Sequence, residues 1–217
     1  MATRDSRDSR QRAVDATLLL LRTQGLAATG LSRIVRDSKA PRGSIYHHFP
    51  GGKQQLVVEA LRTAGAAVAA KIGAALAGHP YAAVALRHYA EDYAEDIRRS
   101  NFERGCPVGN AAMDAAATSK TIRTVCGEIF AGWEELIAER LRHEGVAGNE
   151  ADALAELVLS ALEGAVILCR ARRSTKPLER VADRMGALID SAPRPSDPPA
   201  TRVRRAKTRR EPRRSGI

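Results

Sequence analysis

The chain has 217 residues, of which 44% are hydrophobic and only 4% aromatic, and it carries a formal net charge of +10. That length suits one large domain, or a small domain joined to a larger one. Three widely spaced cysteines give no disulfide framework, the charged start MATRDSRDSRQR is no signal peptide, and no run approaches the ~18–20 apolar residues of a membrane span; a cytoplasmic protein without a membrane partner is expected.

Ala- and Leu-rich composition, with no alternating β-branched run, predicts an all-α fold. A first helix covers about 8–25, with Val14, Leu18 and Leu21 at helical spacing and Gly25 at its end. A short second helix covers about 30–37 (Leu31, Ile34, Val35) and a third 42–49 (Ile45, Phe49), stopped by Pro50-Gly51-Gly52. A long helix runs from Lys53 to about Leu76. The next covers about 81–100, with Val84, His88 and Ile97 near one face and Tyr89 and Tyr93 four apart. Residues 101–108 read as irregular, followed by a short helix over 109–117.

Steps of three and four from Ile122 through Val125, Ile129, Trp133 and Ile137 to Leu141 predict a helix over 119–143. In 150–172, apolar residues wrap more than one side, so that helix is expected to be buried on more than one side. A last helix covers about 177–190. The Pro- and Arg-rich remainder, 193–217, reads as a disordered basic tail. The expected division is 1–52, 53–192 and 193–217.

Charge is segregated along this plan. Residues 1–60 hold ten Lys/Arg against five Asp/Glu, and residues 193–217 hold nine against two, while the middle is near neutral. Basic ends on a neutral body point to a polyanionic partner, nucleic acid first and an anionic membrane surface second. The tail either solubilises the chain or adds non-specific attraction for phosphates.

The stretch APRGSIYHHFPGGK, residues 40–53, concentrates the functional signals. Two short helices around a brief turn, over about 30–49, are the ingredients of a helix-turn-helix. With the third helix in a DNA major groove, Pro41, Arg42, Gly43 and Ser44 face base edges: Arg pairs with guanine, and a small residue lets the backbone approach. Tyr46 and His48, about 200° apart around the helix, point to opposite walls of the groove. Lys53 opens the following helix, where free N–H groups also favour a phosphate. His47 and His48 are adjacent, about 100° apart, so they do not readily chelate one ion. Ser44 and His48 lack a third group to orient the histidine for catalysis. PGGK lacks the spacing of a nucleotide loop.

These residues resemble the recognition helix of the TetR family of bacterial transcriptional repressors. Together with GCPVGNAA at 105–112, they resemble its LmrA/YxaF-like branch. The resemblance implies three DNA-binding helices and six forming a ligand-binding and dimerisation domain. By position it implies that Arg42, Gly43, Ser44 and His47 face bases, and that Tyr46, His48 and Lys53 meet phosphates. Two positions depart from the pattern. Lys39 stands where a turn glycine is usual; a left-handed lysine would be strained, so a differently shaped turn is expected. Gly30 stands where Ser or Thr usually caps the second helix, leaving the cap missing or supplied by Thr29 or Ser32.

Tyr89, Tyr93, Met113, Phe130, Trp133 and Cys169 read equally well as core or as the lining of a cavity. The resemblance favours a cavity for a small, mostly apolar, aromatic or multi-ring effector. Cys106 reads as a small filler, or as a redox-sensing thiol activated by a helix N-terminus. The two-sided helix 150–172 and helix 177–190 suit a four-helix bundle across a two-fold axis, through Leu157, Leu162, Leu168, Val181, Met185 and Leu188. The expected function is a homodimeric repressor on a palindromic double-stranded operator, with no metal, cofactor or catalytic residue. The alternatives are an architectural DNA-binding protein without a ligand response and an enzyme on the helical domain. For the latter, Glu91, Asp92, Glu95 and Asp96 read better as solvated surface.

Overall fold

The computed structural model describes residues 2–194; the basic tail from 195 onward lies outside the described residues. Among them the chain forms nine α-helices and no strand: α1 (Ala2–Gln24), α2 (Leu31–Ser38), α3 (Arg42–His48), α4 (Gly52–Gly78), α5 (Ala82–Arg99), α6 (Pro107–Ala115), α7 (Lys120–His143), α8 (Gly148–Arg172) and α9 (Lys176–Asp190). Several helices begin earlier than the periodicity indicated, among them α1 and α6. α1 starts at Ala2. α6 starts at Pro107, because proline suits the first helical position and the Cys106 thiol accepts a hydrogen bond from the Gly109 N–H.

α1, α2 and α3 enclose a small core of Val14, Leu21, Ile34, Ile45 and Phe49. The turn between α2 and α3 is tight. Lys39 adopts the left-handed conformation (φ 53°, ψ 19°), and its N–H bonds to the Arg36 carbonyl. The expectation of a differently shaped turn is therefore corrected: lysine takes the glycine conformation and carries its strain. Gly30 precedes α2 without a side-chain cap. Thr29 does not supply one, because its buried hydroxyl donates to the Gly25 carbonyl at 2.6 Å.

α4 links this head to the rest of the chain, packing on α1, α5 and α7. By length and composition alone it is apolar enough to cross a membrane, which corrects the expectation that no run approached that limit. Its alanines raise the hydropathy, and its large side chains (Leu56, Val57, Leu61, Ile72, Leu76) are packed inside the fold. The Trp133 indole of α7 donates to the Gly65 carbonyl of α4 at 3.0 Å, a buried bond that sets the two helices' register. Arg140 of α7 donates to the Leu76, His79 and Pro80 carbonyls at the α4–α5 turn, and Glu144 accepts from the Ala82 N–H that opens α5. Along α5, Ala83, Leu86, Ala90 and Ile97 are buried, whereas Val84 and His88 are exposed. The single face expected for Val84, His88 and Ile97 does not form, because thirteen residues place Ile97 about half a turn from Val84.

A left-handed non-glycine residue costs roughly 1–2 kcal/mol. Lys39→Gly is therefore expected to raise the unfolding free energy by about 0.5–1 kcal/mol after the entropy glycine adds to the unfolded chain. Chemical denaturation of both proteins checks this; a loss of stability would refute the strain at this turn.

Candidate nucleic-acid interface and ligand cavity

α3, which packs against α1, owes its orientation to two buried anchors, Ile45 and Phe49. With that side fixed, Arg42, Gly43, Tyr46 and His47 are exposed, while Ser44 and His48 are half-buried at the edges. Arg42 and Tyr46 are one turn apart, with the guanidinium carbon 5.8 Å from the ring centroid. Each side chain thus holds the other upright on the exposed face. A Cβ built on Gly43 meets nothing within 4 Å, so no contact inside the chain demands glycine here. Lys53 is half-buried, and its Nζ donates to the Leu26 carbonyl at 3.3 Å, tying the start of the first loop to the start of α4. An ammonium has two further donors to offer. Arg10 bridges to Glu59 at 2.5 Å, a second tie between α1 and α4.

The three-helix head meets the larger helical body at the last turn of α1. The Asn110 amide donates to the Leu21 carbonyl at 2.9 Å and the Arg22 carbonyl at 3.2 Å. The Gly105 N–H also donates to Arg22, at 2.9 Å, and Arg170 Nη2 donates to the Thr23 carbonyl at 3.4 Å. Asp114 accepts from the Ala27 N–H at 2.9 Å, and Arg22 pairs with Asp96 of α5. The segment GCPVGNAA thus acts as a clasp. It starts α6 with proline and a thiol cap, and it aims an asparagine at two carbonyls of the last turn of α1.

A cavity of about 210 Å³ adjoins this clasp, bordered by Cys106, Asn110 and Met113 from the α6 side, Phe130 of α7, and Glu163, Ile167 and Arg170 of α8. A second, nearly closed cleft of about 10 Å³ lies deeper, between Tyr89, Tyr93, Trp133, Ile137 and Leu162. Glu163 borders both. The residues named from sequence therefore divide: Tyr89, Tyr93 and Trp133 on the cleft, Met113 and Phe130 on the cavity. The Phe130 and Trp133 rings meet edge to face at 5.5 Å between the two groups. Cys169 lies on neither. It is buried on the side of α8 facing α9, where its thiol contacts the Thr175 carbonyl at 3.7 Å.

Glu163, Asn110 and Arg170 escaped the sequence reading. Glu163 had a signal, being the single charged residue in the run 157–168. Its carboxyl lies over Gly109 so closely that a Cβ there would come within 2.6 Å of Oε2. Burial pushes the Glu163 carboxyl above the ordinary carboxylate range, and a hydrogen bond from the Cys106 thiol only partly offsets this. Burial, reinforced by Glu163, likewise holds the Cys106 thiol well above its usual value, outweighing the Gly109 N–H. Of the two readings of Cys106, the structure fits the small filler and not the activated thiol: Cys106 is buried and kept protonated.

The matches with known proteins fall in two stretches of the chain. Residues 13–60 match the model for bacterial regulatory proteins of the tetR family, and residues 82–184 match the C-terminal domain of LmrA/YxaF-like transcriptional regulators. The chain belongs to the TetR family. It is a DNA-binding transcriptional regulator, not an enzyme, and falls in the LmrA/YxaF-like branch. The HTH-type transcriptional regulator YxaF of Bacillus subtilis is 34% identical over 182 residues, covering 84% of this chain and 95% of YxaF. LmrA of the same organism is 29% identical over 175 residues, covering 81% and 93%. The regulatory protein TetR from Rhodobacter sphaeroides has a similar structure, with a TM-score of 0.76 and 25% identity over 82% of this chain and 97% of that one. A cysteine mutant of the TetR family regulator CifR, complexed with 26bp double-strand operator DNA, shares the fold, with a TM-score of 0.70 and 22% identity over 85% and 95%.

A carboxyl raised in the folded state binds its proton more tightly there than in the unfolded chain, so its contribution to stability falls as pH rises through the raised value. Glu163→Gln removes that loss. The variant is expected to match the wild type in stability near pH 4 and to exceed it increasingly as pH rises toward 7. Thermal melts across that range check this, and a gap independent of pH would refute the assignment.

Proposed function

We propose that this regulator is a cytoplasmic homodimeric repressor that binds a palindromic operator through its two α3 helices and releases it when a small, mostly apolar effector fills the cavity. Arg42, Gly43, Ser44 and His47 face base edges; Tyr46, His48 and Lys53 take phosphates. The exposed, unobstructed Gly43, the Arg42–Tyr46 stack and the anchoring of Ile45 and Phe49 support this reading. Two heads about 34–36 Å apart would read half-sites one helical turn apart.

The observation that carries the ligand response is that Asn110 and Arg170 border the cavity and also bond the last carbonyls of α1. An effector that changes the separation of α6 and α8 moves both donors. The head follows as a unit, because Lys53 and the Arg10–Glu59 bridge bind α1 to α4. The effector shifts the balance only by its difference in affinity for the two head spacings.

The dimer seam is supported by an apolar stripe on the outer face. Leu157 is 49% exposed, Leu168 42% and Leu188 41%. Ala161 and Gly164 lie between the first two on α8, and half-buried Val181 lies on α9. Leu162 and Met185 are buried within the protomer and support the stripe from beneath.

Selection from random DNA is expected to return a palindrome, and Leu168→Arg to give monomers by light scattering that bind it at least tenfold more weakly. Sequence-independent recovery of DNA would favour an architectural role instead. Gly43→Ala is expected to leave the melting temperature unchanged or higher, since the Cβ meets open space, yet to weaken operator binding tenfold or more in a mobility-shift titration. Undiminished binding would remove α3's N-terminus from the groove.

A further inference from the structure

The carboxyl of Glu163 has no cationic partner among the described residues; the Cys106 thiol is its hydrogen-bond donor. Arg170 borders the same cavity but lies seven residues on, about 10 Å along the helix, and its Nη2 serves the Thr23 and Glu103 carbonyls. Around Glu163 the wall is otherwise mostly apolar or aromatic: Phe130, Val166 and Ile167 on one side, Tyr89, Tyr93 and Trp133 on the other. Tyr89 and Tyr93 line the deeper cleft that Glu163 also borders.

A half-buried carboxyl without a cation in an apolar wall is costly, and the cost is relieved by any donor brought to it. Few polar groups in an apolar cavity set which ligand fits and how it lies. We propose that Glu163 is the specificity-determining anchor of this cavity, which takes a ring-bearing, largely apolar molecule presenting one hydrogen-bond donor, an N–H or O–H, to that carboxyl. The proposal rests on the cavity being the effector site. A carboxylate ligand is excluded by like charge. A donor-free ring displaces water from Glu163 without replacing its hydrogen bonds, and so binds weakly.

The test uses one ring with four head groups, titrated calorimetrically into the full chain: 2-(aminomethyl)naphthalene, 2-(hydroxymethyl)naphthalene, 2-ethylnaphthalene and 2-naphthoate. The amine and the alcohol are expected to bind at least tenfold more tightly than the ethyl compound, with naphthoate weakest. A further advantage of amine over alcohol identifies a cationic ligand, and parity a neutral one; both support the anchor. Glu163→Leu is expected to erase the donor preference. Glu163→Gln keeps a polar side chain should the leucine variant fail to melt cooperatively, and is expected to reduce the preference and abolish any advantage of the amine. Equal binding of ethyl and alcohol by the wild type would overturn the anchor while leaving the cavity as a ligand site. A donor preference surviving in both variants would overturn it too. Failure of all four compounds to bind would overturn the cavity reading and the anchor together.

Discussion

The last turn of α1 leaves backbone carbonyls that no residue of the same helix can satisfy. Here they are satisfied from the other end of the architecture. Asn110 of α6 takes two, the Gly105 N–H shares one of these, and Arg170 of α8 takes a third. Each bond contributes only about 1 kcal/mol, but leaving a buried carbonyl without a donor costs more. The head that bears the helix-turn-helix is therefore not free to choose its angle on the body. Any rearrangement around α6 and α8 must either carry α1 along or break these bonds.

The same economy of parts appears at Cys106. Its sulfur caps α6 by accepting from Gly109, and its proton goes to Glu163. A helix N-terminus ordinarily favours thiolate. In a buried site beside a carboxyl the balance reverses, since a second negative charge there would face both desolvation and repulsion. Geometry that reads as an activated nucleophile in a sequence becomes, once the burial is known, a neutral donor that partly satisfies an acid.

Helix number and order were legible in the sequence because nearly every helix has a strong stripe of its own and a Gly or Pro stop. Part of the exposed side of α3 was legible for a related reason: with Ile45 and Phe49 fixed as buried, 100° per residue puts His47 opposite them and Tyr46 on a flank, whereas Arg42 is exposed because it opens the helix. Long-range relations were not legible. Asn110 gives no sign that its partners lie in residues 21 and 22, and Arg170 looks like an ordinary basic residue in the last turn of a helix. Lys39 was misjudged for another reason. A single strained residue is tolerated when both flanking helices are pinned, and Ile34 and Ile45 pin them.

α8 joins these strands of the argument. Around its axis, Leu154, Val158 and Leu162 face the protomer core, Glu163, Val166 and Arg170 face the cavity, and Leu157, Gly164 and Leu168 face outward. At 100° per residue these three faces stand roughly a third of a turn apart. A helix so constrained cannot rotate to fit a ligand without disturbing both other faces, because packed side chains hold discrete positions rather than deforming smoothly. On the function proposed above, a molecule seated against Glu163 acts on one rigid rod whose far edge is the dimer seam and whose C-terminal turn grips α1. Separation of the two heads and occupancy of the cavity then become a single coordinate, and release of DNA requires no unfolding of either domain.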